Sequence, residues 1–568
     1  MAVGFGAEPS AMSTEPHKPP AITFDRTGLH FRPGDSMLLR AAAFAALLLR
    51  ELVFYLLYVG RQLADLALNA PLEQLQRPAP PGLPPPAAPL PLSAGRLAHR
   101  IRTGQLTSQL TVAACIARLR QVEPQLHGLA EERFQQALLE ARAADAELAR
   151  LRAELPPSRR DGRERDWALV THLYTHRPLL GVPFTVQETV AARGLRVRRG
   201  AAAPADSEAV AALRAAGAIL LATTRAAAPA EWWAAEGDVR LPHDVRRVVG
   251  DGGAALVAAE ATPLALGVGA TLLVPAAHCG LFSHTASSRT VAASAVPPPP
   301  ADQTADELIL QKMRSTDNLS TTDANHNTDG IFKPPPQKAP AASEPVPHQP
   351  QVGVVARHAE DLRATLRLLA RGPVQRGRLR ELVPVARLRV FTAELPALLV
   401  TSVATREARA ALHSAADTLR GRGAAVTAAE LPETAHLFEI VRSRLSGEGD
   451  CSTLPPPARL LLLGADGVLL LPAHPGPAPL AAQRLLRPLD AVPALLAAAL
   501  QLPGCGVPWG RTADGLPLAV QLVAGPGADH LCLTAAEALR RTAVRPAWAA
   551  ADHTAEKASR SGVIETDL

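Results

Sequence analysis

Residues 178–190, PLLGVPFTVQETV, have the form of a strand that delivers polar side chains at its end. A short apolar run, punctuated by Gly181 and Pro183, closes on Gln187 and Glu188. A catalytic strand of this kind usually ends on a group that titrates, and a glutamine amide does not. It can hold a hydroxyl by hydrogen bonding, but it has no basic lone pair with which to take the proton. Further on, Cys279 lies between His278 and His284, a neighbourhood that raises the question of a thiol nucleophile. The plainer reading, a small buried hydrophobe, is preferred. The remaining cysteines (Cys115, Cys451, Cys505, Cys532) are far apart, and no CxxC or Cys/His pair has metal-ligand spacing. Structural zinc is therefore not expected, and an odd count in so long a chain argues for reduced thiols.

These residues need elements to position them, and the pattern of the chain supplies them. With 568 residues and 47% hydrophobic content, a sizeable core can be buried. Aromatics are only 3%, so Ala and Leu make up most of that core. The net charge of +6 rests almost wholly on arginine, since only five lysines occur. The arginines are scattered and not interleaved with aromatics, so the bias reads as base composition and no nucleic-acid partner is expected. Ser93 precedes a helical pattern through Leu97 and Ile101, and a second pattern runs from Leu110 to Val122. Residues 129–155 carry apolar positions at helical spacing and predict one long amphipathic helix. Residues 208–224 predict a helix running into the strand AILLAT, and 357–370 a helix. Residues 465–479 predict a buried strand and loop; 514–542 a turn, a strand, a Gly-Pro loop and a terminal helix. This alternation argues for an α/β sheet domain.

The flanks differ. Residues 1–35 and 549–568 are expected to be a disordered leader and tail. Residues 36–70 contain two apolar runs, 41–49 and 52–59, around Arg50 and Glu51. The length suits a spanning helix, but central charges cost about 2.5–3.5 kcal/mol each. Membrane attachment is expected, either spanning or lying in the headgroup plane. A Pro-rich spacer, 71–92, should be extended and hold the domain off the membrane. Residues 296–350 hold three of the five lysines and three of the four asparagines. They read as a disordered insert in a surface loop, or as a retained intron. The domain is then expected in two parts, 93–295 and 351–548.

The stretches PLLGVPFTVQETV, AALRAAGAILLATT, VVGDGG, LGVGATLLVPAAHCGLFSHTAS, RHAEDL, DGVLLLPAHPGPAP and GLPLAVQLVAGPGADHL, in this order, resemble the amidase-signature family, and within it the membrane-bound fatty-acid amide hydrolases. The resemblance implies an amidase-signature α/β fold, a mixed sheet between helical layers. It further implies amide hydrolysis by a Ser–cis-Ser–Lys triad with no metal and no cofactor. A neutral lysine takes a proton from a bridging serine, which activates the nucleophilic serine, and backbone N–H groups stabilise the oxyanion.

On this chain the lysine position of the resemblance falls on Gln187. The bridging-serine segment is shortened to GDGG, so that serine falls on Asp251 or Gly252 according to where the gap is put. The nucleophile falls on Thr271, with four residues of the oxyanion loop deleted. The run that should carry Asn and Glu after the preceding strand reads TRAAA, 224–228. The expectation is a membrane-anchored, non-catalytic homologue that binds a fatty-acid amide or a protein partner. Its localisation would be an intracellular membrane such as endoplasmic reticulum or lipid droplet, and a homo-oligomer is left open. Two alternatives stand: an active hydrolase with Thr271 as nucleophile and His278 or Asp251 as substitute base, and a decayed or wrongly assembled gene product without function.

Overall fold

The computed structural model describes residues 93–154, 162–198, 200–226, 239–291, 351–394, 402–429, 466–480 and 490–540, with isolated positions such as Leu56, Leu83, Pro84, Val441 and Leu463. The expected leader 1–35, the apolar segment 37–59 apart from Leu56, the insert 296–350 and the tail 549–568 lie outside them. Among the described residues no helix is long and apolar enough to cross a membrane.

Strands β1 (Leu129–Glu132), β2 (Pro183–Gln187), β3 (Ile219–Thr224), β4 (Arg240–Leu241), β5 (Asp244–Val248), β6 (Leu264–Val268) and β7 (Phe282–Thr285) precede residue 292. Strands β8 (Val352–Ala356), β9 (Arg389–Thr392), β10 (Ala425–Ala428), β11 (Gly467–Pro472), β12 (Gly504–Arg511) and β13 (Pro517–Ala524) follow residue 350. All but β4 and β5 join one sheet of 11 strands in the order β1-β3-β2-β6-β8-β7-β12-β13-β11-β9-β10. The sheet is mixed: β2 runs parallel to β3 and β6, β8 antiparallel to β6 and β7, and β9 parallel to β10 and β11. Strands β2, β3, β6, β8, β11 and β13 are buried along their whole length. Their near-continuous Val, Ile, Leu and Ala runs follow from that, because both faces are covered by helices.

Helices α1 (Ala94–Arg102), α2 (Ser108–Leu126), α3 (Phe134–Glu154), α4 (Gly162–His176), α5 (Glu208–Ala215), α6 (Gly252–Ala258), α7 (Leu273–His278), α8 (Ala359–Leu369), α9 (Gly372–Arg380), α10 (Arg406–Gly421), α11 (Val492–Ala499) and α12 (Asp529–Arg540) form the layers. On one face of the sheet α1, α5, α8, α10 and α12 contribute to a core that also takes in Phe184, Val186, Val354 and Val520. Three of these helices start on hydroxyl caps, Ser93, Ser207 and Thr405, whose oxygens accept backbone N–H groups of the first turn. Asp361 on α8 adds to the first cap. Its carboxylate accepts Ala94 N–H at 2.9 Å, Gly95 N–H at 3.0 Å and the Ser93 hydroxyl at 3.0 Å, which fixes the start of the domain to α8.

Two expectations need correction. Residues 129–155 are not one helix: 129–132 form β1, and the helix begins at Phe134. The Glu123 carboxylate accepts the N–H groups of Gly128 and Leu129, ending α2, and Leu129 then pairs with Thr224 at the edge of the sheet. Leu, Ala and Glu suit a helix locally, but the long-range ladder wins. The spacer 71–92 does not stand wholly free either. Leu83 packs against the cluster of Ile116, Leu119 and Phe134, and the carbonyl of Pro84 accepts from Arg118 at 2.6 Å.

Candidate functional site

Gln187 is the last residue of β2, inside the sheet between β3 and β6, and 1% exposed. In sheets with parallel strands, ligands gather at the carboxyl ends of such strands. The backbone makes room for the amide: a Cβ on Gly267 of β6 would lie 2.3 Å from Gln187 Cδ and Oε1. Asp251 caps α6, its Oδ1 accepting Ala254 N–H at 2.6 Å, and it is fully buried. Thr271 ends the short 3-10 turn Gly269–Thr271 that leaves β6.

These three side chains meet. Gln187 Nε2 donates to Asp251 Oδ2 at 2.6 Å and to Thr271 Oγ1 at 3.0 Å. Gln187 Oε1 accepts the Val268 N–H at 2.7 Å and the Thr189 hydroxyl at 3.4 Å. The carboxylate on one side and a backbone N–H on the other fix which end of the amide is which. The Thr271 hydroxyl has two acceptors, the Val268 carbonyl at 2.9 Å and Gln187 Oε1 at 3.2 Å. Neither is a base that can accept its proton at neutral pH.

Gly252 does not share the site. A Cβ there would stand 2.0 Å from the carbonyl oxygen of Gly128, so the position is held by a close approach of two backbones and excludes any side chain. The residue of the GDGG segment that faces Gln187 is Asp251. Burial pushes its carboxyl up to about 6, against the hydrogen bonds from Ala254 and Gln187, and the charge of Glu188 adds to the rise. Glu188 lies just past the end of β2, and its carboxylate accepts the Ala226 N–H at 3.2 Å.

His278, the other base considered for Thr271, is not placed to serve it. Its Nδ1 and Nε2 are buried with no hydrogen-bond partner, and its ring stands edge-on to His474 with centroids 4.5 Å apart. Burial holds its pKa well below the ordinary histidine value. The Cys279 thiol is pushed well up, first by burial and then by the Asp251 charge, which leaves it a small buried hydrophobe and no nucleophile. Of the TRAAA run, Thr224 is buried with its hydroxyl 3.4 Å from the Val186 carbonyl, and Arg225 reaches the Leu129 carbonyl; Ala227 and Ala228 lie outside the described residues.

Two backbone donors at the turn are already engaged. Gly269 N–H is bonded to the Gln351 carbonyl at 2.8 Å, and Leu272 N–H to the Gly269 carbonyl at 3.3 Å. Among the described residues no group of three or more His, Cys, Asp or Glu side chains could hold a metal ion. Two site residues carry no motif in the sequence: Val268, whose N–H donates to Gln187 and whose carbonyl accepts from Thr271, and Thr189. The signal for Val268 was available in Gly267: a glycine inside an apolar strand marks a place where another group comes close.

A family model described as Amidase matches residues 168–363. Fatty-acid amide hydrolase 2 of Homo sapiens is 26% identical over 87% of this chain and 96% of that protein. Fatty-acid amide hydrolase 2-A of Danio rerio is 28% identical over 80% of this chain and 89% of its own length. Among solved structures, the native peptide amidase from Stenotrophomonas maltophilia superposes with a TM-score of 0.54 at 18% identity, covering 80% of this chain and 98% of that one, a likeness of fold. The Amidase match over 168–363, together with motifs in the same order along one mixed sheet, makes the chain similar to the amidase-signature family.

Proposed function

We propose that this protein is a membrane-tethered amidase-family member that binds fatty-acid amides without hydrolysing them. The observation that carries the reading is the saturated amide of Gln187. Both of its N–H groups and its carbonyl oxygen are spent on Asp251, Thr271 and Val268. The hydroxyl of Thr271 is held but not deprotonated, since an alcohol needs a base in hydrogen-bond reach before it becomes a nucleophile. Asp251 could accept a proton, but Gln187 occupies the near oxygen. Loss of one triad member costs about 10⁴–10⁶ in rate, and here the lysine and both serines are replaced. The choice of ligand rests on similarity to fatty-acid amide hydrolase 2 over most of the chain. The tether rests on the apolar runs within 37–59, and the choice of an intracellular membrane, such as endoplasmic reticulum or lipid droplet, rests on the resemblance to fatty-acid amide hydrolase 2.

The test is incubation of full-length protein with a fluorophosphonate probe and with a radiolabelled fatty-acid amide, beside Gln187→Lys. We expect saturable binding of the amide, no covalent labelling and no turnover above background in either protein. Lysine alone should not restore activity, because the catalytic groups act as a unit. Hydrolysis by the wild type that Thr271→Val abolishes would overturn the reading and make Thr271 a working nucleophile.

A further inference from the structure

The arginines are scattered along the chain, but one solvent-facing segment concentrates them. Residues 371–387 contain five arginines (371, 376, 378, 380 and 387) against one acid, Glu381. All five are exposed, and among the described residues none makes an ion pair. Between them stand two of the most exposed large apolar side chains among the described residues, Val374 at 68% and Leu382 at 75%. The segment is α9 with the turn that follows it.

The inner side of this segment is fixed. Leu379 is 1% exposed, and Arg363 of α8 donates to the carbonyls of Leu379 at 3.1 Å and Glu381 at 3.4 Å while pairing with Glu537. A cation already answers the carbonyl end of α9 from within, so the outer arginines are not needed to stabilise it. The domain enters from the 71–92 side at Ser93, which Asp361 binds near the start of α8, and α9 follows the other end of α8 directly. An 11-residue helix is about 16 Å long. Chain entry and the start of α9 therefore lie at the two ends of α8.

We propose that the outward face of residues 371–387 docks on a bilayer surface bearing anionic lipid headgroups. Guanidinium groups meet the headgroup phosphates and carboxylates, while Val374 and Leu382 enter the boundary with the acyl chains. Exposed apolar side chains set among the arginines suit a lipid interface. A nucleic acid would call for aromatic stacking platforms, and residues 371–387 hold no aromatic. This contact is separate from the tether in 37–59 and stands or falls without it.

A probe local to α9 tests the proposal in the full-length chain. Cys115, Cys279, Cys505 and Cys532 are buried, so Val374→Cys in a Cys451→Ser background gives one accessible thiol for an environment-sensitive dye on α9. Vesicles of phosphatidylcholine containing phosphatidylserine should shift its emission to the blue; phosphatidylcholine alone should not. About 0.5 M salt should reverse the shift, since the screening length then falls to a few ångströms. Arg378→Glu with Arg380→Glu should weaken the anionic-vesicle response at least about tenfold. Equal response to both vesicles, no response to either, or a shift produced by single-stranded RNA but not by anionic vesicles would each overturn the proposal. Because the dye reports only α9, a protein held on vesicles by 37–59 alone leaves it unshifted.

Discussion

Two buried aspartates in this molecule have almost the same electrostatics and opposite meanings. Asp251 and Asp361 both have carboxyls pushed up to about 6 by burial, and both accept backbone N–H groups at a helix start. The Asp361 carboxylate bonds to a distant segment, Ser93 to Gly95, and ties the first helix to the sheet layer. Asp251 caps its own helix and has one long-range side-chain partner, Gln187. A perturbed carboxyl in a dry place is often taken to mark catalysis. Here what separates the two is the partner: one carboxylate faces backbone donors, the other faces an amide where a catalytic cation is expected.

The comparison can be broken most forcefully at Gly252. A Gly252→Ser variant restores a family-type serine beside Asp251, but its Cβ meets the Gly128 carbonyl. We expect a loss of about 3 kcal/mol or more, as overpacking against backbone does, and no gain of serine-probe labelling. A stable Gly252→Ser protein would show that the site has more room than the close approach at Gly128 allows.

The two aspartates themselves come next. Asp361→Asn leaves three donors with a single acceptor oxygen and should cost about 2 kcal/mol; Asp251→Asn keeps a competent cap and should cost about 1 kcal/mol. The pH dependence has the same sign for both. A carboxyl whose folded value of about 6 exceeds the unfolded value near 3.8 contributes stability that is complete below the unfolded value and lost as pH rises through 6. Each wild-type-minus-variant difference should therefore grow as pH falls from 7 to 4, by up to about 1.4 kcal/mol per unit inside that window. Denaturant titrations at several pH values measure it, and a flat difference at Asp251 with a slope at Asp361 would separate the pair.

The smallest effect belongs to Thr271→Val. It removes one hydroxyl and leaves one N–H of the Gln187 amide without its acceptor, while the bonds of Gln187 to Asp251 and Val268 stay, and should cost about 1 kcal/mol by thermal melting. Fatty-acid amide binding should be unchanged.

The α/β alternation was legible because buried strands and capped helices carry local signals, such as LLGVPFTV or Ser93 before its helix. The start of the helix at Phe134 was not, since Leu129 to Glu132 fits a helical period equally well and only pairing with β3 decides it. At the site, the meeting of Gln187, Asp251 and Thr271 could be placed from the order of motifs. Whether Asp251 or Gly252 faces Gln187 could not, because a deletion has two equivalent alignments in sequence and one in space. His278 qualifies as a base by residue type alone, and chain distance says nothing of where its imidazole points.

The position of β8 has a consequence for how the protein is made. β6 and β7 are successive strands of the main sheet in the chain, yet β8 lies between them and bonds to both. At ribosomal speeds of about 5–20 residues per second, the centre of the sheet waits about 3–13 seconds for that strand to be synthesised. Until then the nascent chain carries two open strand edges at its middle. Such edges are where chaperones bind and where nascent chains aggregate. A message cut short between residues 285 and 352 would yield a fragment that can never close its sheet.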